Sequence, residues 1–280
     1  MLFIPGNNPG MLQNGCVFGA DSAIFDLEDA VALTEKDAAR RLVANALKYV
    51  DYGPTEKVVR INSLDTFAQD DIRAIVPEGP DALLVPKVQA PEDIVRVAAM
   101  VEAVEIEGRE PIQLIALMET PQGIAEAYSI AKAHPRLTGL ALGAEDYTAL
   151  LGIRRSPEGD EIYLARGMVV NAAAAAGIQP IDTPFTDVND MAGLSRDTDY
   201  AKKLGFKGKL AINPRQIAAI HQVFTPSREE VQWAKRVIAA LRQANSEGAG
   251  VASLDGKMVD APIVSRAEQV IYLAQTLGLA

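Results

Sequence analysis

The sequence predicts an α/β fold, a (β/α)8 TIM barrel with a C-terminal helical appendage, and three observations carry that prediction. Short apolar runs alternate with segments of helical composition along most of the chain. The 280 residues are long for one ordinary domain but typical of a single barrel. Hydrophobic residues make up 49% of the chain and aromatics only 5%, so the core must be built from Ala, Val, Leu and Ile, which suit parallel strands covered by helices.

The strand candidates are 2–5, 23–27, 57–61, 82–86, 114–118, 137–142, 179–183 and 209–212. Between them lie helical stretches such as 35–50, 91–107, 122–133, 162–176 and 190–204, with Gly108, Gly177 and Gly205 read as C-caps. Strand-helix alternation implies a parallel sheet with right-handed crossovers. A doubly wound open sheet has fewer strands and a glycine-rich first turn, so closure into a barrel over residues 1–224 is expected. The pattern then changes. Thr225, Pro226 and Ser227 cap a charged helix over 228–243, a Gly/Ser-rich stretch follows, and a last helix runs near 263–277, so 225–280 is the appendage.

The net charge of −10 and the lack of a basic stripe interleaved with aromatics exclude nucleic acid as a partner. Cys16 is the only cysteine, which rules out an intrachain disulfide or a cysteine-cluster metal site and leaves a small buried thiol as its expected role. Residues 1–20 carry no charge, but Pro5, Gly6, Pro9 and Gly10 interrupt them, and no basic residue precedes the apolar part as in a signal peptide. No segment offers a membrane-spanning apolar run. A soluble, cytoplasmic protein is expected.

In such barrels the C-terminal strand ends form the active site, so charged residues closing apolar strands are candidates. Asp26 and Glu28 follow strand two, Arg60 and Asn62 end strand three, and Lys87 ends strand four. Glu119 closes strand five, Asp146 six, Asp182 seven and Asn213 eight. Any one of these is more often a solvated loop residue or a helix cap. The set is harder to dismiss, because Glu119 and Asp146 bring two carboxylates from adjacent strands to one rim. Two carboxylates with the remaining positions left to water match Mg²⁺. With no cysteine pair and only His134 and His221, both read as surface helix residues, Zn²⁺ is disfavoured. Arg60, inside the run Val58 to Asn62, needs a carboxylate or a substrate oxyanion as partner, and the substrate-facing reading is preferred over a structural ion pair. Gly143 and Ala144, and the turn from Thr120 to Gly123, could offer backbone N–H groups to a substrate carboxylate.

The segments Leu2-Phe3-Ile4-Pro5-Gly6, Phe25-Asp26-Leu27-Glu28-Asp29, Val59-Arg60-Ile61-Asn62, Gly143-Ala144-Glu145-Asp146-Tyr147, Ile212-Asn213-Pro214-Arg215 and Gly256-Lys257-Met258-Val259-Asp260 together resemble the citrate lyase beta / malyl-CoA lyase superfamily, an HpcH/HpaI aldolase-like group. Relatives carry a basic Arg-Ser segment before the first motif, whereas this chain begins inside it, and Pro184-Phe185 replaces other residues common in the substrate-facing loop.

That resemblance implies a Mg²⁺-dependent carbon–carbon lyase, a homotrimer or hexamer, acting on acyl thioesters of CoA or of an acyl carrier protein, in company with other citrate lyase subunits. It implies Glu119 and Asp146 as metal ligands and Arg60 as the substrate-binding arginine. It makes Asp260 an aspartate lent, with the C-terminal segment, to a neighbouring subunit's active site. The implied chemistry is retro-Claisen cleavage of citryl-ACP or citryl-CoA to oxaloacetate and an acetyl thioester, with citramalyl-CoA or malyl-CoA lyase and thioester hydrolase as alternatives. A non-catalytic barrel scaffold is the reading from another class. Lys202, Lys203, Lys207 and Lys209 cluster near one helix end and are read as a solvated face rather than a carrier-protein docking patch.

Overall fold

The computed structural model describes residues 1–246 and 252–279. The chain divides into two compact units, Met1–Ile220 and His221–Ala280. In the first, eight strands form one sheet in the order β1 to β8: β1 (Leu2–Pro5), β2 (Ser22–Asp26), β3 (Glu56–Arg60), β4 (Ala82–Val85), β5 (Gln113–Met118), β6 (Leu137–Leu142), β7 (Gln179–Asp182) and β8 (Gly208–Lys209). Every pairing is parallel. Just past β8 the sheet closes on itself: Leu2 pairs with Ala211, the Phe3 N–H donates to the Ala211 carbonyl at 2.9 Å, and the Ala211 N–H donates to the Met1 carbonyl at 2.8 Å. The predicted barrel is therefore present, strand for strand.

The connecting helices are α1 (Pro9–Gln13), α2 (Lys36–Tyr49), α3 (Ala68–Ile75), α4 (Pro91–Glu102), α5 (Pro121–Ala125), α6 (Ala127–Ala131), α7 (Ala144–Leu151), α8 (Tyr163–Ala176) and α9 (Met191–Leu204), followed by α10 (Ile217–Phe224). Sequence spacing explains their faces. In α2, Ala39, Val43, Ala46 and Leu47 recur at helical intervals and are buried, leaving the polar side to solvent. Gly177 and Gly205 end α8 and α9 in the left-handed conformation expected of C-caps. Gly108 does not: α4 stops at Glu102, and the Glu105 side chain turns to Arg136 and to the Ile112 N–H. The helix expected over 122–133 is broken at Glu126 (φ −92°, ψ 10°) into α5 and α6.

Side chains alternate across each strand, so odd and even positions part company at the barrel wall. Inside the barrel, Ile24, Val58, Ala82, Leu84, Ile115, Leu117, Ala141, Ile181 and Leu210 pack into one apolar cluster, with Phe3 against it. The opposite faces of the strands meet the helices and are buried too, which is why β2 and β4 are buried at every position.

A buried polar group lies in the outer layer behind β7 and β8. Asp182, read from the sequence as a mouth residue, points away from the barrel interior, because its neighbour Ile181 faces inward. Its carboxylate accepts two hydrogen bonds from Arg166 of α8, both at 2.9 Å, and one from Lys209 of β8 at 2.5 Å. Asp197 of α9 completes the set, 2.7 Å from Arg166 Nη2 and 2.6 Å from Lys209 Nζ. Burial opposes the charge on Asp197, yet Lys209 and Arg166 together hold its carboxyl below the usual range. Lys209 thus leaves the exposed lysine cluster proposed from the sequence. Two cations and two anions in full burial bind β7 and β8 to the helices behind them, since losing any one partner would strand a buried charge.

The second unit holds α11 (Arg228–Ser246), a hairpin of β9 (Ala252–Leu254) and β10 (Lys257–Val259), and α12 (Ala261–Thr276). Ser227 and Glu230 cap α11 reciprocally. Ala234, Val237, Ala244, Ala252, Val259 and Ala267 form its core. The hairpin falls in the stretch read only as Gly/Ser-rich, the rest of which lies outside the described residues. Asp255 and Gly256 both have positive φ at its turn, the conformation an Asp-Gly pair favours.

Candidate functional site

The inward register continues past the strand ends, and it selects the residues of the barrel mouth. Asp26 follows Ile24, Arg60 follows Val58, Glu119 follows Leu117, and Gly143 follows Ala141, each two positions beyond an interior residue. All but Gly143 are buried polar groups. Asp146 sits in a different way from the expectation: it is not at the end of β6 but at the third position of α7, partly exposed.

Arg60 is held face-on by Asp26, with Nε 2.7 Å from one carboxylate oxygen and Nη2 2.6 Å from the other. Its Nη1 donates to Asp29 at 3.4 Å and lies 3.0 Å from Glu28 Oε2, out of line for a hydrogen bond. The ring of Phe3 lies beneath it, 4.9 Å from the guanidinium carbon. Burial works against the arginine's charge, but Asp26, with Glu28 and Asp29, outweighs it and the pKa is raised. A structural ion pair is therefore part of what Arg60 does. Three of its five N–H donors are engaged, so two remain without an acceptor among the described residues.

Glu28 is buried and its carboxyl is pushed up, first by burial, against the pull of Arg60 and Lys87. Lys87 Nζ reaches its Oε1 at 2.8 Å, and Lys36 Nζ fixes the loop beneath by donating to the Leu27 and Glu28 carbonyls at 2.7 and 2.6 Å. Lys87 was legible as a strand-end cation, but its backbone role was not: it adopts φ 53°, uncommon for a residue with a side chain, and so turns its N–H onto Glu119 Oε1 at 2.7 Å.

Glu119 is 2% exposed. Its pKa is raised to about 8, first by burial and then by the negative charges of Glu28 and Asp146, with the Lys87 N–H and Arg60 acting the other way. The side chain lies against Gly143: a Cβ there would come within 2.6 Å of Glu119 Cβ and 2.7 Å of Oε2. Glycine at 143 is what makes room for this carboxylate.

The backbone donors proposed at 143 and 144 are already used. The Gly143 N–H donates to the Met118 carbonyl at 3.0 Å and the Ala144 N–H to Thr183 Oγ1 at 3.2 Å. The Gly123 N–H likewise goes to Thr120 Oγ1. Other strand-end residues serve the scaffold. Asn62 is tied to Asp71 of α3 through both its N–H and its amide, and Asn213 caps the turn after β8. His134 accepts from the Arg136 N–H in a surface turn, and Cys16 is half-buried rather than buried, with Sγ 3.8 Å from the Asp51 carbonyl. Asp260 belongs to the second unit, where it caps α12 by accepting the Ile263 N–H at 3.1 Å.

Among the described residues no cluster of three or more His, Cys, Asp or Glu is poised around one point. The mouth instead offers two carboxylates, Glu119 and Asp146, with surplus negative charge and a cationic wall of Arg60 and Lys87. Such a donor set fits a hard divalent cation that keeps water in its remaining positions and leaves room for substrate oxygens.

A model of the family described as HpcH/HpaI aldolase/citrate lyase matches residues 1–214. The chain belongs to that family. Within the HpcH/HpaI aldolase/citrate lyase family it is 46% identical to the citrate lyase subunit beta of Leuconostoc mesenteroides subsp. cremoris, over 98% of this chain and 92% of the relative. It is 38% identical to a (3S)-malyl-CoA thioesterase of Cereibacter sphaeroides, over 99% of this chain and 95% of that protein. Among solved structures, protein CitE of Mycobacterium tuberculosis in complex with magnesium, acetoacetate and coenzyme A superposes with a TM-score of 0.80 at 32% identity, covering 98% of this chain and 97% of that one. No described helix is long and apolar enough to cross a membrane.

The contact between Gly143 and Glu119 predicts an asymmetric glycine series. Gly143→Ala lowers the unfolding free energy by about 1–3 kcal/mol, the cost of overpacking, in chemical denaturation. Gly208→Ala, where an added Cβ meets nothing within 4 Å, leaves it unchanged or raises it by up to about 1 kcal/mol. Equal effects at the two positions would mean that Glu119 is free to move aside.

Proposed function

We propose that this protein is a Mg²⁺-dependent carbon–carbon lyase that cleaves a citryl thioester, on acyl carrier protein or CoA, into oxaloacetate and an acetyl thioester. The observation that carries the reading is the buried Glu119 carboxylate, raised to about 8 by burial and by Glu28 and Asp146, in a family that includes citrate lyase subunits. Glu119 and Asp146 would hold the metal. Bound there, Mg²⁺ supplies Lewis-acid stabilisation of charge on the substrate's hydroxyl and adjacent carboxylate.

The chain's own residues account for the rest. Lys87 fixes one Glu119 oxygen through its N–H, which leaves the other for the cation. Asp26 sets the plane of Arg60, whose two unengaged N–H groups can receive the oxygen that becomes negative as the acetyl half leaves as an enolate. Glycine at 143 and alanine at 144 allow close approach of the substrate, their N–H groups being already engaged by the Met118 carbonyl and Thr183. In the reaction the substrate hydroxyl gives up its proton to solvent water, the carbon–carbon bond breaks to form the ketone of oxaloacetate, and the electron pair passes to the acetyl enolate. Asp260, supplied by a second copy of the chain in a trimer or hexamer, returns a proton to that carbon. This reading puts the protein in the cytoplasm, alongside other citrate lyase subunits.

The malyl-CoA thioesterase relative makes malyl-CoA the competing substrate, and the higher identity to the citrate lyase subunit favours citryl. A product assay with citryl-CoA, citramalyl-CoA and malyl-CoA, each with and without Mg²⁺, decides it. Oxaloacetate from citryl-CoA, fastest of the three and only with Mg²⁺, is expected; a preference for malyl-CoA sinks the citryl assignment.

The shared site has its own test. Asp260→Ala and Glu119→Ala proteins are each expected to be inactive, and subunits of the two exchanged into mixed oligomers recover part of the activity. Failure of verified mixed oligomers to recover argues that Asp260 does not act across subunits.

Protonation of Glu119 competes with the metal. Its folded pKa lies above the unfolded value, so the metal-free protein loses the associated stability as pH rises from the ordinary carboxylate range to about 8. Mg²⁺ must displace that proton below about pH 8, and calorimetry should show affinity rising by up to about tenfold per pH unit between about pH 6 and 8, then levelling. A flat profile over that range removes Glu119 from the ligand set.

A further inference from the structure

We propose that Thr183 is a positioning residue for the metal pair: from a neighbouring strand, its hydroxyl caps the helix that carries Asp146. The proposal rests on the reading of Glu119 and Asp146 as metal ligands, and it assigns a reason for the two to keep a fixed separation.

A helix begins with N–H groups that have no partner within it, and a Ser, Thr, Asp or Asn at the N-cap ordinarily supplies one. In α7 that position is Gly143, which has no side chain to offer. Nor can it acquire one, because the space a Cβ would need is filled by Glu119. The glycine that admits one metal carboxylate therefore deprives the helix bearing the other of its own cap. Thr183 Oγ1 takes over that task by accepting the buried Ala144 N–H at 3.2 Å.

The orientation of Thr183 is itself determined one residue earlier. Asp182 is drawn to the outer layer by Arg166 and Lys209, with three hydrogen bonds in full burial. Alternation then turns Thr183 to the inner side, toward the end of β6, where it is completely buried. Ala144 is the first residue of α7 and Asp146 the third, so the capped N–H and the metal carboxylate share one turn. Without the acceptor, a buried N–H is left unsatisfied and that turn can relieve it only by shifting, which carries Asp146 away from Glu119.

The experiment compares full-length wild type with Thr183→Val, Thr183→Ser and Thr183→Ala by calorimetric titration with Mg²⁺ alone at pH 8, beside thermal melts of the metal-free proteins. Valine keeps the shape and removes the acceptor; serine keeps the acceptor and removes the methyl group. Thr183→Val is expected to bind Mg²⁺ about five- to tenfold more weakly, as one lost hydrogen bond implies, and Thr183→Ser within about twofold of wild type. If Thr183→Val does not fold, the serine and alanine variants, which differ only by the hydroxyl, carry the comparison, with alanine the weaker binder. Wild-type affinity in Thr183→Val, or equal losses in serine and alanine, overturns the positioning role while leaving the metal reading intact. Absence of Mg²⁺ binding by the wild type overturns the metal reading itself, and the proposal with it.

Discussion

A carboxylate that the surrounding protein disfavours in its charged form stands at the centre of the barrel mouth. Glu119 is almost wholly buried and close to two other acids, and among the described residues its only hydrogen-bond donor is the Lys87 N–H, delivered from a left-handed backbone. Each neighbouring choice of residue follows from holding that group in place. Glycine at 143 clears the volume, Lys87 orients one oxygen, and Arg60 and Lys87 offset part of the charge from one side. What the protein leaves uncompensated is a concentration of negative charge suited to a cation, and strained or frustrated groups of this kind are characteristic of sites that work on a ligand.

The same strand wall that focuses charge inward also hides charge outward. Asp182 and Lys209 close their strands as Glu119 and Arg60 close theirs, yet one residue of register sends the first two into the helix layer and the second two into the mouth. The outer quartet is neutral overall and its cations reach both acids, so it serves as a rigid fastening. The inner group lacks that balance. A barrel can thus build scaffold and reactive groups from the same residue types, separated only by the period of two.

This explains how far the sequence could be read. Strand positions were legible because an apolar run covered on both faces leaves a strong signal: seven of the eight runs fall on strands, while the eighth, 209–212, meets β8 only at Lys209. Glu119 was legible because it follows five apolar residues in register. Asp182 was misread for want of a register reference: without Ile181 known to face inward, the side to which an aspartate points is undetermined. The left-handed turn at Lys87 left no trace, since its residue type is wrong for that conformation, and the trans cap from Thr183 depends on a contact 39 residues away in the chain. The hairpin of the second unit was signalled by Asp255-Gly256, but the surrounding small residues masked it.

Closure of the barrel has a consequence for how the molecule comes to exist. The bond between the N-terminal amine and the Lys209 carbonyl joins groups 208 residues apart, and the pairing of Leu2 with Ala211 is of the same order. On the ribosome, β1 is made well before Ala211 and waits for its second neighbour until the other strands of the sheet have followed. For most of synthesis, at about 5–20 residues per second, its outer edge is an open row of backbone donors and acceptors flanked by Phe3 and Ile4. Completion of the sheet is thus a late, high-contact-order event, and substitutions that weaken the last strand would be felt first as aggregation of nascent chains, before any loss appeared in the finished enzyme.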